Sequence, residues 1–345
     1  MLDNKRKHWW VLIPIFCFSL ALVAPHLNAD ALWFDEFMTY YHSGGGEVQG
    51  VTLLQTLSRT AEDFAWPPGF YLIMTQWQQV SRGSLFVDRL MQTFTGLLTI
   101  AVLYQLGKSL FSRRVGIFSA ILLATSAVFI FYMHELRGHV LYVLSVALCL
   151  WSYRLVLQDR TMKHRWRQIF FVLSLVFALY AHYVATAAIV AIGVYHLLFE
   201  RTTTVSDNKE KTLSVERAKN WNRITFLGIL SFGIYGPWMG ILILSLVRRA
   251  VYFEAEVTSI TSLPVWFYIF FNGTLYFALL PLSLLSLRWI HNRSLHFLWL
   301  WTILTIVVSL ITNIFTDFLF HPRHLLIMLI PICLTLAFVL DKIWQ

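Results

Sequence analysis

Residues 169–199 read IFFVLSLVFALYAHYVATAAIVAIGVYHLLF, a run without Asp, Glu, Lys, Arg or Pro. Arg165 and Arg167 flank it on one side, Glu200 and Arg201 on the other. A helix of about 20 apolar residues crosses a bilayer, so the run is too long for one span. With basic residues at both ends, it reads as a helical pair that turns at His182-Tyr183 and returns to the side it left. Similar blocks recur along the whole chain: 58% of residues are apolar and only 13% are charged. A water-soluble core does not absorb that much apolar surface. The expected fold is all-α, a single polytopic integral membrane domain over residues 1–345. About ten transmembrane helices are expected, with further juxtamembrane helices on the outer surface.

Outward from this pair, the cations orient the chain. Lys5, Arg6 and Lys7 hold the N-terminus inside, and Trp9 to Leu27 carries residue 28 out. That block exceeds a signal h-region, and His26-Leu27-Asn28 lacks the small residues of a cleavage site, so a retained anchor is expected. Residues 28–87 form the first extracytoplasmic loop, with an acidic motif and an interfacial helix. That helix, from Pro68 to Val80, is short for a span, opened by Pro67-Pro68 and interrupted by Gln76, Gln78 and Gln79. Spans follow at Leu90–Leu106, Val115–Met133, Val140–Leu155, the pair within 169–199, Thr225–Val247, Val265–Leu287, Leu295–Ile314 and Leu325–Leu340. Residues 200–223 are the longest cytoplasmic loop. Of 27 Lys and Arg residues, only Arg59, Arg82, Arg89, Arg137, Arg248, Arg249 and Arg323 fall outside, and both termini are cytoplasmic. Cations confined to short topogenic loops argue against a nucleic-acid partner. Cys17, Cys149 and Cys333 lie inside apolar blocks, with neither metal-ligand spacing nor a disulfide framework. There is no internal repeat, low-complexity tract or separate soluble domain.

Ionisable residues are nearly absent from helix centres and gather at the outer helix ends. Ion-coupled transporters instead carry such groups near the midplane. Asp35 and Glu36 sit within Leu32-Trp33-Phe34-Asp35-Glu36-Phe37. An acid pair among large apolar residues just above a membrane is partly desolvated, which raises basicity and suits a general base. A solvated loop with an incidental acid pair is the other reading. His134-Glu135-Leu136-Arg137-Gly138-His139 forms a second ionisable cluster, and His321-Pro322-Arg323-His324 a third. The planar guanidinium forks of Arg89, Arg137 and Arg323 match phosphate oxygens and keep their charge. Interfacial snorkelling is the alternative for each of them. His134, Glu135, His182, Tyr183, His321 and His324 are candidates to line the same cavity, and a structural histidine is an equal reading of His182.

In this order, the elements resemble the GT-C superfamily of polytopic glycosyltransferases that use polyprenyl-phosphate sugars. The branch is that of glycosyltransferase family 39, the dolichyl-phosphate-mannose protein mannosyltransferases, and of the bacterial lipid A aminoarabinose transferases. Four features carry the likeness. Leu32-Trp33-Phe34-Asp35-Glu36 matches the family's acidic motif, and Trp66-Pro67-Pro68-Gly69-Phe70-Tyr71 its Pro-Pro motif followed by aromatics. Asp88-Arg89-Leu90 precedes Leu106-Gly107-Lys108-Ser109-Leu110-Phe111-Ser112-Arg113-Arg114, and Glu135-Leu136-Arg137 pairs with Pro322-Arg323-His324-Leu325-Leu326. Trp66 stands where the family has a polar residue, so a phosphate contact from that position is lost, and His324 replaces the usual tyrosine. Some relatives carry a further soluble domain, which is not expected here.

The resemblance implies a sugar moved from a polyprenyl-phosphate donor to an acceptor hydroxyl of a lipid, glycan or protein, at the extracytoplasmic face. Asp35, with Glu36, would be the base; Arg89, Arg137 and Arg323 would hold the donor phosphate. A single base fits inversion. No cofactor is required; if a divalent metal is bound, Asp35, Glu36 and Glu135 are its ligands. The implied setting is a multi-pass protein of the bacterial plasma membrane, in contact with membrane lipids. A lipid or polysaccharide transporter and a non-catalytic subunit of a glycosylation complex are the rival readings.

Overall fold

The structure is a computed structural model that describes residues 8–29, 31–46, 50–63, 66–159, 164–200, 208–252, 281–316 and 322–345. Most of the expected span 265–287, and His321, lie outside the described residues. Among the described residues all regular structure is helical, which bears out the all-α expectation. A short 3-10 turn leads into α1 (Leu12–Val23), followed by the shorter helices α2 (Phe34–Ser43), α3 (Leu53–Asp63) and α4 (Gly69–Ser81). The long α5 (Leu85–Leu110) is followed by α6 (Arg113–Ala124), α7 (Ala127–His134) and α8 (His139–Gln158). Next come α9 (Arg165–Ala181), α10 (Ala185–Phe199) and α11 (Asn208–Tyr252), and finally α12 (Arg293–Thr316) and α13 (Leu329–Trp344).

Among the described residues, six helical stretches are long and apolar enough to cross a membrane, and the chain is a multi-pass integral membrane protein. They are Trp9–His26, Leu85–Leu110, His139–Gln158, Asn220–Leu244, Arg293–Ile314 and Arg323–Trp344. The expected count of ten is not reached among the described residues: most of the span expected at 265–287 lies outside them, and three further expected spans differ. Residues 115–133, expected as one span, form α6 and α7, which meet at an angle of 63°. Thr125 closes α6, and the Ser126 hydroxyl caps α7 by accepting the backbone N–H of Phe129 at 3.5 Å. The pair within 169–199 is present as α9 and α10, turning at His182–Val184. At 17 and 15 residues, they reach only about 25 and 22 Å, short of a hydrocarbon core of about 30 Å. Residues 208–223, expected as loop, are helical and run on into the apolar part of α11. Glu, Lys, Arg and Ala there are strong helix formers, with no Gly or Pro to stop them before Gly228.

The bundle centres on α8 and α13, the most thoroughly buried of these helices. On α11, by contrast, Phe226, Ile229 and Ile243 are exposed, as a lipid-facing helix requires. α4 attaches to the bundle by close backbone approach. A Cβ at Gly69, the first residue of α4, would sit 2.5 Å from the carbonyl oxygen of Tyr180 on α9. Only glycine lets Pro67-Pro68 bring α4 down onto the end of α9, where the turn to α10 begins.

Candidate active site

α2 is held to the turn between α7 and α8 by a two-residue clip. The backbone N–H of Leu136 donates to Glu36 Oε1 at 2.8 Å, and Thr39 Oγ1 donates to the Leu136 carbonyl at 2.9 Å. Glu36 and Thr39 lie three apart, on one face of a helix. From the other side, Arg89 on α5 grips Glu36, with Nε donating to Oε1 at 3.0 Å and Nη2 to Oε2 at 2.6 Å. Its Nη1 reaches the Leu27 carbonyl at 3.3 Å. Tyr40 OH donates to Asp88 Oδ2 at 2.8 Å, one helical turn beyond Glu36. Glu36, Arg89 and Asp88 are all buried. Glu36 is therefore anchored in a charge pair, and the Arg89 fork, expected on a donor phosphate, is closed on a carboxylate.

The clip fixes where Asp35 points. Its Oδ2 accepts from Arg323 Nη1 at 2.9 Å, and Arg137 Nη2 lies 3.8 Å from the same oxygen. Arg137 Nη1 also donates to the Asp35 backbone carbonyl at 2.8 Å. The Asp35 side chain is 21% exposed and Arg323 24%, whereas Arg137 is 5% exposed. Of the three groups, Asp35 and Arg323 are thus the pair a solute can reach.

Glu135 completes the charged set. Its carboxyl is buried, and Oε2 has no hydrogen-bond partner. Burial pushes it up to about 8, against the Arg137 and Arg323 guanidiniums and with the carboxylates of Glu36 and Asp35. A folded-state value above the ordinary 4.5 means the fold loses stability as pH rises from there to about 8. Glu135→Gln should therefore flatten this slope, melting at a higher temperature than the parent at pH 9 and about equally at pH 4. Parallel melting curves in detergent across pH 4–9 check it; an unchanged slope would show that Glu135 is not the titrating group.

Trp66 lies beside this centre, with the Arg137 guanidinium 5.4 Å from its ring centre. The same indole is 4.9 Å from the ring of His182 and 5.8 Å from that of His324, and His182 stacks on Tyr142 at 4.3 Å. Burial, then Arg323 and Arg137, push His182 down to about 3, so its ring is neutral at neutral pH. Trp66 thus gives Arg137 a cation–π support. Trp66 and His139, which is 6.3 Å from both Trp66 and His182, were not among the expected site residues. Both stand in motifs visible in the sequence, Trp-Pro-Pro and Glu-Leu-Arg-Gly-His. His134 points elsewhere, stacking on His26 at 5.1 Å, and Tyr183 accepts from Trp238 Nε1 at 3.3 Å. Asp35, Glu36 and Glu135 do not form a metal-ligand set. Both Glu36 oxygens are engaged by Arg89, and Asp35 Oδ2 faces two cations. Among the described residues, no group of three His, Cys, Asp or Glu side chains is arranged to hold a metal ion.

Three comparisons bear on this arrangement. Residues 65–215 match the family described as dolichyl-phosphate-mannose-protein mannosyltransferase. ArnT from Cupriavidus metallidurans, solved bound to undecaprenyl phosphate, superposes with a TM-score of 0.65 at 13% identity, covering 97% of this chain and 61% of that one. The chain has the GT-C fold. The Archaeoglobus fulgidus oligosaccharyltransferase in its apo form gives a TM-score of 0.57 at 11% identity, over 99% of this chain and 52% of that one. The same organism's AglB, in complex with an inhibitory peptide and a dolichol-phosphate, gives 0.53 at 13% identity, over 99% and 51%. This chain thus spans 61% of the ArnT chain and about half of the archaeal ones. No curated protein sequence matches. The resemblance to the GT-C glycosyltransferases read in the sequence is borne out.

Proposed function

We propose that this GT-C chain transfers a sugar from a polyprenyl-phosphate donor to an acceptor hydroxyl at the extracytoplasmic face, with inversion. One observation carries the reading: a reachable carboxylate, Asp35, shares its oxygen with two guanidiniums, Arg323 at 2.9 Å and Arg137 at 3.8 Å. A base and a phosphate clamp thus stand side by side at the end of an apolar bundle. A donor phosphate competes with Asp35 for the two cations. Once they turn to the phosphate, Asp35 Oδ2 is freed to accept a proton. The acceptor oxygen then attacks the anomeric carbon as its proton passes to Asp35. The bond from that carbon to the phosphate oxygen breaks, and the electron pair leaves with the polyprenyl phosphate, whose charge Arg323 and Arg137 neutralise. Arg89, closed on Glu36, supports the geometry instead of touching the donor.

Purified protein in detergent, given labelled sugars on a panel of polyprenyl phosphates and a crude acceptor extract, should transfer label without any ion gradient. A transporter would release none. The orientation is tested separately by a cysteine at Val80, which is 69% exposed on α4. With Cys17 replaced, an impermeant maleimide should label it in intact cells. Labelling only after permeabilisation would invert the topology.

A further inference from the structure

A second cluster of charge lies at the end of the bundle opposite Asp35. Two helices place it there. On α8, Arg154 stands about 22 Å along the axis from His139, which begins that helix beside the candidate site. On α10, which starts at the His182 turn, Glu200 is the residue that closes the far end. Ser294 Oγ donates to the Leu110 carbonyl at 2.9 Å, so the start of α12 lies beside the end of α5. The candidate spans Leu85–Leu110, His139–Gln158 and Arg293–Ile314 all have an end here, which sets the cluster at a membrane boundary. Its charges are not matched. Arg293 Nη2 donates to Glu200 Oε2. Arg154 is half-buried beside this pair, close enough for both charges and the Tyr195 hydroxyl to act on it. It makes no hydrogen bond with a described residue, and its Nε is buried without a partner. Nη1 and Nη2 are therefore the donors it has left to offer. Two guanidiniums thus face one carboxylate, which leaves a positive charge uncompensated at the edge of a low-dielectric region. Snorkelling does not account for this, because a snorkelling arginine carries its whole head into water.

The surroundings select an anion with an apolar body. A guanidinium fork matches the two free oxygens of a phosphate diester. Leu197 and Leu198, on the turn of α10 before Glu200, are exposed and offer apolar surface to acyl chains. Basic sites between helices at a membrane boundary hold anionic lipid head groups by this combination. We infer that Arg154 and Arg293 bind the phosphate of an anionic phospholipid, with Glu200 as the carboxylate that the lipid displaces from Arg293. The site is independent of sugar transfer. It ties the ends of α8, α10 and α12 to one leaflet.

The test is native mass spectrometry of the full chain in detergent, titrated with dioleoyl phosphatidylglycerol or with dioleoyl phosphatidylcholine. The second lipid carries the same phosphate beneath a cation. Phosphatidylglycerol should be retained in preference. Arg154→Met should lower that preference about five-fold, the share of one cation at an anionic surface. Arg293→Gln, at a side chain 68% exposed, should lower it similarly without disturbing the core. Glu200→Gln removes the competing carboxylate and should raise it. Arg114→Gln, an exposed cation at the same end of the bundle, should leave it unchanged. Equal retention of the two lipids, or a loss with Arg114→Gln as large as with Arg154→Met, would reduce the site to general surface attraction and overturn the inference. A lower preference in Glu200→Gln would overturn it too, since the cluster would then be a closed structural network. Displacement of the lipid by inorganic phosphate alone would make this a site for a soluble anion, against the lipid assignment.

Discussion

Asp35→Asn should lower sugar transfer by about a hundred- to ten-thousand-fold, the range a positioned general base contributes. The substitution keeps the shape of the side chain and its ability to accept from Arg323 Nη1 at 2.9 Å and to lie near Arg137, so the fold is unaffected. What it removes is the capacity to take a proton. It also removes the negative charge that holds both guanidiniums in the resting state, so donor affinity should stay level or rise. Loss of turnover with retained donor binding is therefore the expected signature, read from single-turnover transfer and from donor binding on the same preparation. If turnover survives, the base lies elsewhere. Glu135, buried with a free Oε2 and a proton held up to about pH 8, is then the residue to substitute next.

The bundle was legible in the sequence because burial in lipid leaves a first-order mark: charge vanishes from about 20 residues at a time and returns in basic loops. The likeness to GT-C enzymes was legible for a different reason, since its motifs sit at helix ends where a few residues must keep fixed positions. Second-order features escaped. The break at Thr125-Ser126 is a helix cap within an apolar run, and hydropathy averages over it, although a serine before Ala-Val-Phe is a readable N-cap signal. Helix over 208–223 escaped because polar residues with high helix propensity look like loop when hydropathy is the guide. At the centre, the acids and arginines could be named from the sequence but not matched. Nothing in the spacing says that Glu36 goes to Arg89 and Asp35 to Arg323, residues 53 and 288 positions away. That matching decides the chemistry, because it takes one acid and one arginine out of the reachable set.

Arg89→Met should destabilise the protein by about 3–5 kcal/mol, the usual result of removing one partner of a buried ion pair. The Glu36 and Arg89 side chains are 1% and 4% exposed, so no water replaces the guanidinium when it is removed. Glu36 would keep the Leu136 N–H at 2.8 Å, one neutral donor against the cost of a buried, unpaired carboxylate. Adding Glu36→Gln to Arg89→Met should recover much of the loss. The amide oxygen still accepts from Leu136, and the stranded charge is gone. The double variant should therefore be more stable than the sum of the two singles, since Glu36→Gln alone strands the arginine. Reversible unfolding in mixed micelles gives the four values of the cycle, and additivity within about 0.5 kcal/mol would mean that the two residues are not coupled. The same cycle read as transfer activity separates support from chemistry. If the pair acts only by seating α2, the double variant recovers activity along with stability, because Asp35 returns to its place between Arg323 and Arg137. If Arg89 reaches the donor phosphate during turnover, stability returns and activity does not.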